Sequence, residues 1–154
     1  MDNLTHSSSV VVACSPEAVY DLVSDVTRTG EWSVQCRACT WEVDGGPRVG
    51  AWFTGRNEVP GRTWETRSQV VVADRGREFA WEVGRGYVHW SFSMEPDDGG
   101  TRLTQSWAFL PAGIAFFHEA YGEAAERQIA TRTRAAHEGI PQTLENVRRI
   151  AEAG

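Results

Sequence analysis

The residues of this chain that could do chemistry are few and scattered. Cys36 and Cys39 form a single C-x-x-C, four histidines stand at positions 6, 89, 118 and 137, and all fifteen basic residues are arginine. A C-x-x-C holds zinc only with two further ligands at matching spacing, and exchanges disulfides only at a helix start in a strand–helix–strand unit. Neither context surrounds this pair, and alternation along an extended strand puts the two on opposite sides, so structural cysteines are expected. No histidines have the spacing of a zinc motif such as H-E-x-x-H. His89 falls on an outer strand face, where water is its expected neighbour. His118, beside Phe116 and Phe117, could approach a pocket mouth and titrate near neutrality. There is no G-x-S-x-G elbow, P-loop or dinucleotide fingerprint; Gly84-Arg85-Gly86 sits in a hairpin turn. The lack of lysine removes Schiff-base chemistry. The sequence therefore assigns no catalytic residue, no metal and no cofactor.

More informative are polar residues set among rings. Strand-like stretches alternate between two faces. One face collects Phe53, Gly55 and Asn57; then Trp64, Thr66, Ser68, Val70 and Val72; then Phe79, Trp81 and Val83; then Val88, Trp90, Phe92 and Met94; and finally Leu103, Gln105, Trp107 and Phe109. The opposite face carries Trp52 and a solvated set that includes Arg56, Glu58, Glu65, Arg67, Glu82, Arg102, Thr104 and Ser106. A buried amide without partners costs about 1–3 kcal/mol. Asn57 and Gln105 must then satisfy one another in a packed core, or orient water or ligand in a cavity. Gly55 beside them leaves space, which favours the cavity. An empty pocket of about 300 Å³ would cost about 7 kcal/mol at the rate found for engineered voids, close to a domain's whole stability. A cavity here must be wet, occupied or partly filled by the rings.

These strands need a partner, and the last stretch supplies it. Ile129, Thr133, Ala136, Ile140, Leu144, Val147 and Ala151 recur every three or four residues, one face of an α-helix, with charged residues elsewhere around it. Gly139 and Pro141 predict a kink or break near Ile140. Upstream, Met1–His6 reads as a frayed end and Ser7–Cys14 as a first strand; Ser15 and Pro16 then open a helix. A helical or irregular turn covers Asp25–Ser33. Six strands follow, Cys36–Val43, Val49–Val59, Thr63–Asp74, Arg77–Val83, Tyr87–Glu95 and Thr101–Leu110, joined by turns too short for anything but antiparallel neighbours.

With 154 residues, 41% hydrophobic and 23% charged, the chain is expected to fold as one domain over residues 1–154. A net charge of −6 argues against nucleic acid as a partner. Three cysteines with no leader-like segment before them point to a reducing cytoplasm. No apolar run approaches the roughly 20 residues that span a bilayer.

Taken together, the proline-initiated helix Ser15–Ser24 and the segments Asp25–Ser33, Val49–Asn57, Gly76–Val83 and Gly99–Trp107, in this order before an amphipathic tail, resemble the SRPBCC (START/Bet v 1-like) superfamily, and within it polyketide cyclase/dehydrase-like proteins. The resemblance covers nearly the whole chain. It implies an α+β helix-grip fold: a seven-stranded antiparallel sheet wrapped around a long C-terminal helix, two short helices after strand 1, and an apolar cavity between sheet and helix. Pro111–Tyr121 departs from the pattern, as a lid or a helical extension. The expected function is binding of a small hydrophobic molecule, aromatic, polyketide-like or lipid-like. Phe53, Trp64, Trp81, Trp90, Trp107, Phe109, Phe117, Tyr121 and Ile129 would form its walls, with Asn57, Thr66 and Gln105 toward its oxygens. Polyketide cyclase, aromatase or dehydratase chemistry on a molecule held there is the enzymatic alternative. An interaction module, or a homodimer, using the sheet surface at Trp52 is a third.

Overall fold

The computed structural model describes residues 4–154; Met1–Asn3, part of the segment expected to fray, lie outside the described residues. Strands β1 (Thr5–Val12), β2 (Cys36–Trp41), β3 (Trp52–Val59), β4 (Arg62–Asp74), β5 (Glu78–Val83), β6 (Val88–Asp97) and β7 (Gly100–Phe109) form one antiparallel sheet in the order β1-β7-β6-β5-β4-β3-β2. Helix α1 (Pro16–Val23) and a 3-10 turn (Val26–Glu31) connect β1 to β2, the two short helices expected there. After β7 come α2 (Pro111–Tyr121) and the long α3 (Ala125–Ala153).

Local chemistry explains most of these boundaries. Ser15 caps α1, its Oγ accepting from the Ala18 amide at 3.1 Å, and Pro16 occupies the first turn, where no amide is needed. β1 begins earlier than Ser7: Thr5 and His6 pair with Ala108 and Trp107, and the Phe109 amide donates to Leu4 O at 2.8 Å. The second edge of the sheet thus continues into what reads in the sequence as a tail. α3 runs unbroken through Gly139 and Pro141, so the break, one of the two outcomes expected there, does not occur. Pro141 is exposed, so its ring points to solvent, while Ala136, Ile140, Leu144 and Val147 around it are buried and hold the helix on the sheet.

The sheet curls over α3, and the core fills the concavity. Val12, Phe79, Phe92, Leu103, Ile129, Ile140, Leu144 and Val147 are buried together there. Polar ties fix the far end of α3 to the first strand and helix: Glu152 accepts from the Ala13 amide at 2.9 Å, and Cys14 Sγ donates to Ala151 O at 3.3 Å. Nearer the middle, the Asn146 amide donates to Trp32 O at 3.0 Å and pins the 3-10 turn against the helix. A register shift in β4 between Val70 and Val72 sets Ala73 opposite the buried Phe79. Val72, expected on the inner face, therefore leaves it, because a one-residue slip exchanges the faces.

Candidate ligand cavity

Beyond Phe79, toward the α2 end of the sheet, the core opens into a cavity of about 640 Å³ between the strands and α3. Register brings its aromatic wall together. Trp81 pairs with Trp90, Trp90 with Trp107, and Val88 with Phe109, each pair sharing the inner face. Trp81 is the hub. Its ring lies stacked on Trp90 with centroids 6.3 Å apart, and 6.2, 5.6 and 5.9 Å from Phe53, Phe79 and Phe92. At the open end Phe109 meets Phe117 edge-on at 5.1 Å, and Phe117 meets Tyr121 at 5.1 Å.

Pro111–Tyr121, expected as a lid or a helical extension, is a helix whose Phe116, Phe117 and Tyr121 line the cavity. Leu110 precedes Pro111 without a side-chain cap, and the helix is held instead by packing on the β5–β6 turn. Phe116 stacks on Tyr87 with centroids 4.5 Å apart. Gly113 makes that approach possible: a Cβ there would fall 2.2 Å from the Tyr87 carbonyl oxygen.

The polar residues separate into two groups. Asn57 and Thr66 satisfy one another, the Asn57 amide donating to Thr66 Oγ1 at 3.2 Å and to Trp64 O at 3.4 Å. Gln105 does not share in this. It is only 5% exposed, it lines the cavity, and its Oε1 has no hydrogen-bond partner in the protein.

The two cysteines are where the sequence expectation fails most clearly. A bulge between Cys36 and Ala38 adds a residue to β2, so Cys36 pairs with Asn57 and Cys39 with Gly55, both toward the interior. Their sulfur atoms are 3.1 Å apart and both residues line the cavity. The hydrogen bond between them holds the Cys36 thiol protonated well above the ordinary thiol range, with burial acting in the same direction. Cys39, accepting that bond and a second from the Thr29 side chain, is lowered despite its burial. Gly55 serves this pair rather than enlarging the cavity, since a Cβ there would stand 3.2 Å from Thr66 Oγ1 and 3.3 and 3.4 Å from the two sulfurs.

Of the residues expected at a ligand, Phe53, Asn57, Trp64, Thr66, Trp81, Trp90, Gln105, Trp107, Phe109, Phe117 and Tyr121 all line this one cavity. Ile129 does not: at 2% exposure it is packed in the core beneath α3. His118 is exposed on α2 and outside the lining. His89 sits on the outer face as expected, but half-buried, with Nδ1 2.9 Å from Glu82 Oε2 rather than in water. Trp52, also outside, is covered by the Arg67 guanidinium 3.9 Å from its ring centre. Sequence reasoning missed the wall supplied from the helical side, Val23, Val26 and Trp32, with Ala136, Ile140 and Thr143 of α3. It also missed Arg62 and Arg132 at the rim. Arg62 could have been found, since it has the same strand parity as Trp64. Among the described residues no cluster of three or more histidine, cysteine or acidic side chains is placed to hold a metal, and no helix is long and apolar enough to cross a membrane.

A seven-stranded antiparallel sheet closing on a C-terminal helix over an apolar cavity is the helix-grip arrangement. The family described as polyketide cyclase / dehydrase and lipid transport matches residues 4–145, and the chain belongs to it. A polyketide-cyclase-like protein from Corynebacterium glutamicum, Cgl2372, is similar at 52% identity, with 97% of this chain and 92% of that one covered and a TM-score of 0.71. Protein NE0264 from Nitrosomonas europaea is similar in fold, at 15% identity, coverage of 99% and 97%, and a TM-score of 0.69. So is StfQ, a di-domain aromatase/cyclase of the steffimycin biosynthetic pathway, at 14% identity and a TM-score of 0.70, with 97% of this chain covering 51% of that one. A comparison with curated proteins finds no match.

Proposed function

We propose that the protein binds a small hydrophobic molecule, aromatic, polyketide-like or lipid-like, in the cavity between sheet and α3. The observation that carries this is a ring-lined space of about 640 Å³ whose lining includes Gln105, a buried side chain with an acceptor that no protein group satisfies. A dry void of that size would cost about 15 kcal/mol at about 24 cal/mol per Å³, the upper end of a domain's entire stability. The contents are therefore water or ligand, and an apolar molecule that replaces water against Trp81, Trp90 and Trp107 gains on contact. Covering about 300 Å² of ligand surface contributes about 7 kcal/mol before the cost of association, which sets micromolar affinity or weaker as the expectation. A hydroxyl or amide N–H on the ligand would complete Gln105.

Binding is favoured over cyclase or dehydratase turnover because, among the described residues, no histidine lines the cavity and its one lining carboxylate, Glu65, points away from the inner wall. Glu65, though beside the cavity, is exposed and alternates outward from Trp64 and Thr66. Titration with the neutral fluorophore N-phenyl-1-naphthylamine tests the proposal: enhanced emission is expected in the wild type and loss of it in A136L, which adds carbon to a buried position of the cavity wall. Absence of enhancement in wild-type protein, or equal enhancement in A136L, would reject this site.

A further inference from the structure

Three of the fifteen arginines are withdrawn from solvent: Arg62, Arg132 and Arg148. Arg148 is bracketed on α3 by Glu145 and Glu152, the ordinary way a partly buried guanidinium is neutralised. Arg62 and Arg132 have no such partner; among the described residues neither forms an ion pair with any carboxylate. Both crowd onto one indole at the rim of the cavity. The Arg62 guanidinium carbon is 4.2 Å from the Trp64 ring centre and that of Arg132 5.7 Å, with Arg132 also 5.4 Å from Phe117.

Cation–π contact accounts for the stacking of each arginine but not for gathering two like charges on one ring. Burial lowers the proton affinity of Arg132, the charge of Arg62 lowers it further, and the Tyr121 phenol opposes both. Arg132 donates from Nη1 to Gln128 Oε1 at 3.0 Å and also bonds the Tyr121 phenol, which leaves some of its five N–H donors for other partners. The sites contributing this rim, the start of β4, the end of α2 and the first third of α3, are brought together only by the closed fold. In a chain of net charge −6, two half-buried and unneutralised guanidiniums at the entrance of an apolar cavity make an anion site.

We propose that the molecule held in the cavity is an amphipathic oxyanion, a ring-bearing carboxylate or phosphate whose apolar body lies against Trp81 and Trp90 and whose charged head is bound between Arg62 and Arg132. This rests on the reading of the cavity as a site for a hydrophobic ligand and adds the charge. Planar guanidinium forks suit either head, and the anion removes the repulsion between the two arginines as it binds.

Three probes sharing one naphthalene body test it: methyl 2-naphthoate, 2-naphthoate and 2-naphthyl phosphate, each titrated calorimetrically into the whole protein. At least one anion is expected to bind about tenfold tighter than the ester, as charge-assisted bidentate contacts allow. The phosphate and carboxylate arms then show which head the rim prefers. In R62Q/R132Q the anion's advantage over the ester is expected to vanish, and R62K/R132K is expected to keep part of it because the charge remains. Added salt should weaken the anion and spare the ester. Ester binding as tight as both anions would overturn the anion site and leave the hydrophobic cavity standing. Equal loss of ester and anion in R62Q/R132Q would make the arginines packing elements and overturn it as well. If no probe binds, the cavity reading fails and the anion site with it.

Discussion

Replacing Gln105 by leucine should make the free protein more stable. The side chain is 5% exposed, lies on the inner face opposite Phe92 of β6, and has an acceptor with no protein partner. Leaving a buried polar atom unsatisfied costs about 1–3 kcal/mol. Leucine of similar length removes that cost and adds apolar contact with the surrounding rings. Q105L is expected to gain about 1 kcal/mol in urea unfolding, or about 2–4 °C in Tm for a domain of this size. The same change should remove a preference for hydroxylated ligands. Wild-type protein is expected to bind 1-naphthol several-fold tighter than naphthalene, and Q105L to bind the two alike. A loss of more than about 1 kcal/mol in Q105L would show that the amide is satisfied within the core. An unchanged naphthol preference would show that it does not face the ligand. Either result refutes the reasoning.

Further consequences follow from α2, the thiols and α3. G113A puts a Cβ 2.2 Å from the Tyr87 carbonyl and should lift α2, at a cost of about 1–3 kcal/mol in urea unfolding and with faster proteolysis near Tyr121; an unchanged midpoint would contradict the close approach. In a C14S background, thiolate absorbance at 240 nm should appear in two separate steps, Cys39 below the ordinary thiol range and Cys36 well above it, and C36A should move Cys39 upward because its donor is gone; a single transition for both would be wrong for a hydrogen-bonded pair. L144A removes a side chain 2% exposed at the centre of the α3 contact and should cost about 2–5 kcal/mol by chemical denaturation, whereas a cost under about 1 kcal/mol would place the helix off the sheet.

The architecture was legible because two periodicities carried it. The four-three spacing from Ile129 to Ala151 and the alternation in five strands need only regular backbone, and regular backbone is what α3 and most of the sheet have. Misreadings cluster where one residue breaks the period. The bulge at Cys36/Ala38 turned two cysteines assigned to opposite faces into a contact pair on the inner one, and the shift at Val70/Val72 moved Val72 out. Neither bulge has a proline or glycine to announce it. Pro141 announced a kink or a break, and the helix does not break, because burial on both sides of it in sequence outweighs one lost backbone bond. The rim was hidden for another reason: Arg132 and Arg62 meet at Trp64 only once the sheet has curled, and their lack of carboxylates is a property of that curvature.

The most direct measurement is the set of indole N–H resonances in an NMR titration with a neutral aromatic ligand such as methyl 2-naphthoate. Five of the seven tryptophans, Trp32, Trp64, Trp81, Trp90 and Trp107, line the cavity. Trp41 stands behind Phe53, and Trp52 lies outside under Arg67. The five are expected to shift together along one saturable curve, Trp41 less, and Trp52 not at all. Saturation without movement of Trp81 and Trp90, or shifts confined to Trp52, would contradict a hydrophobic ligand site between the sheet and the last helix.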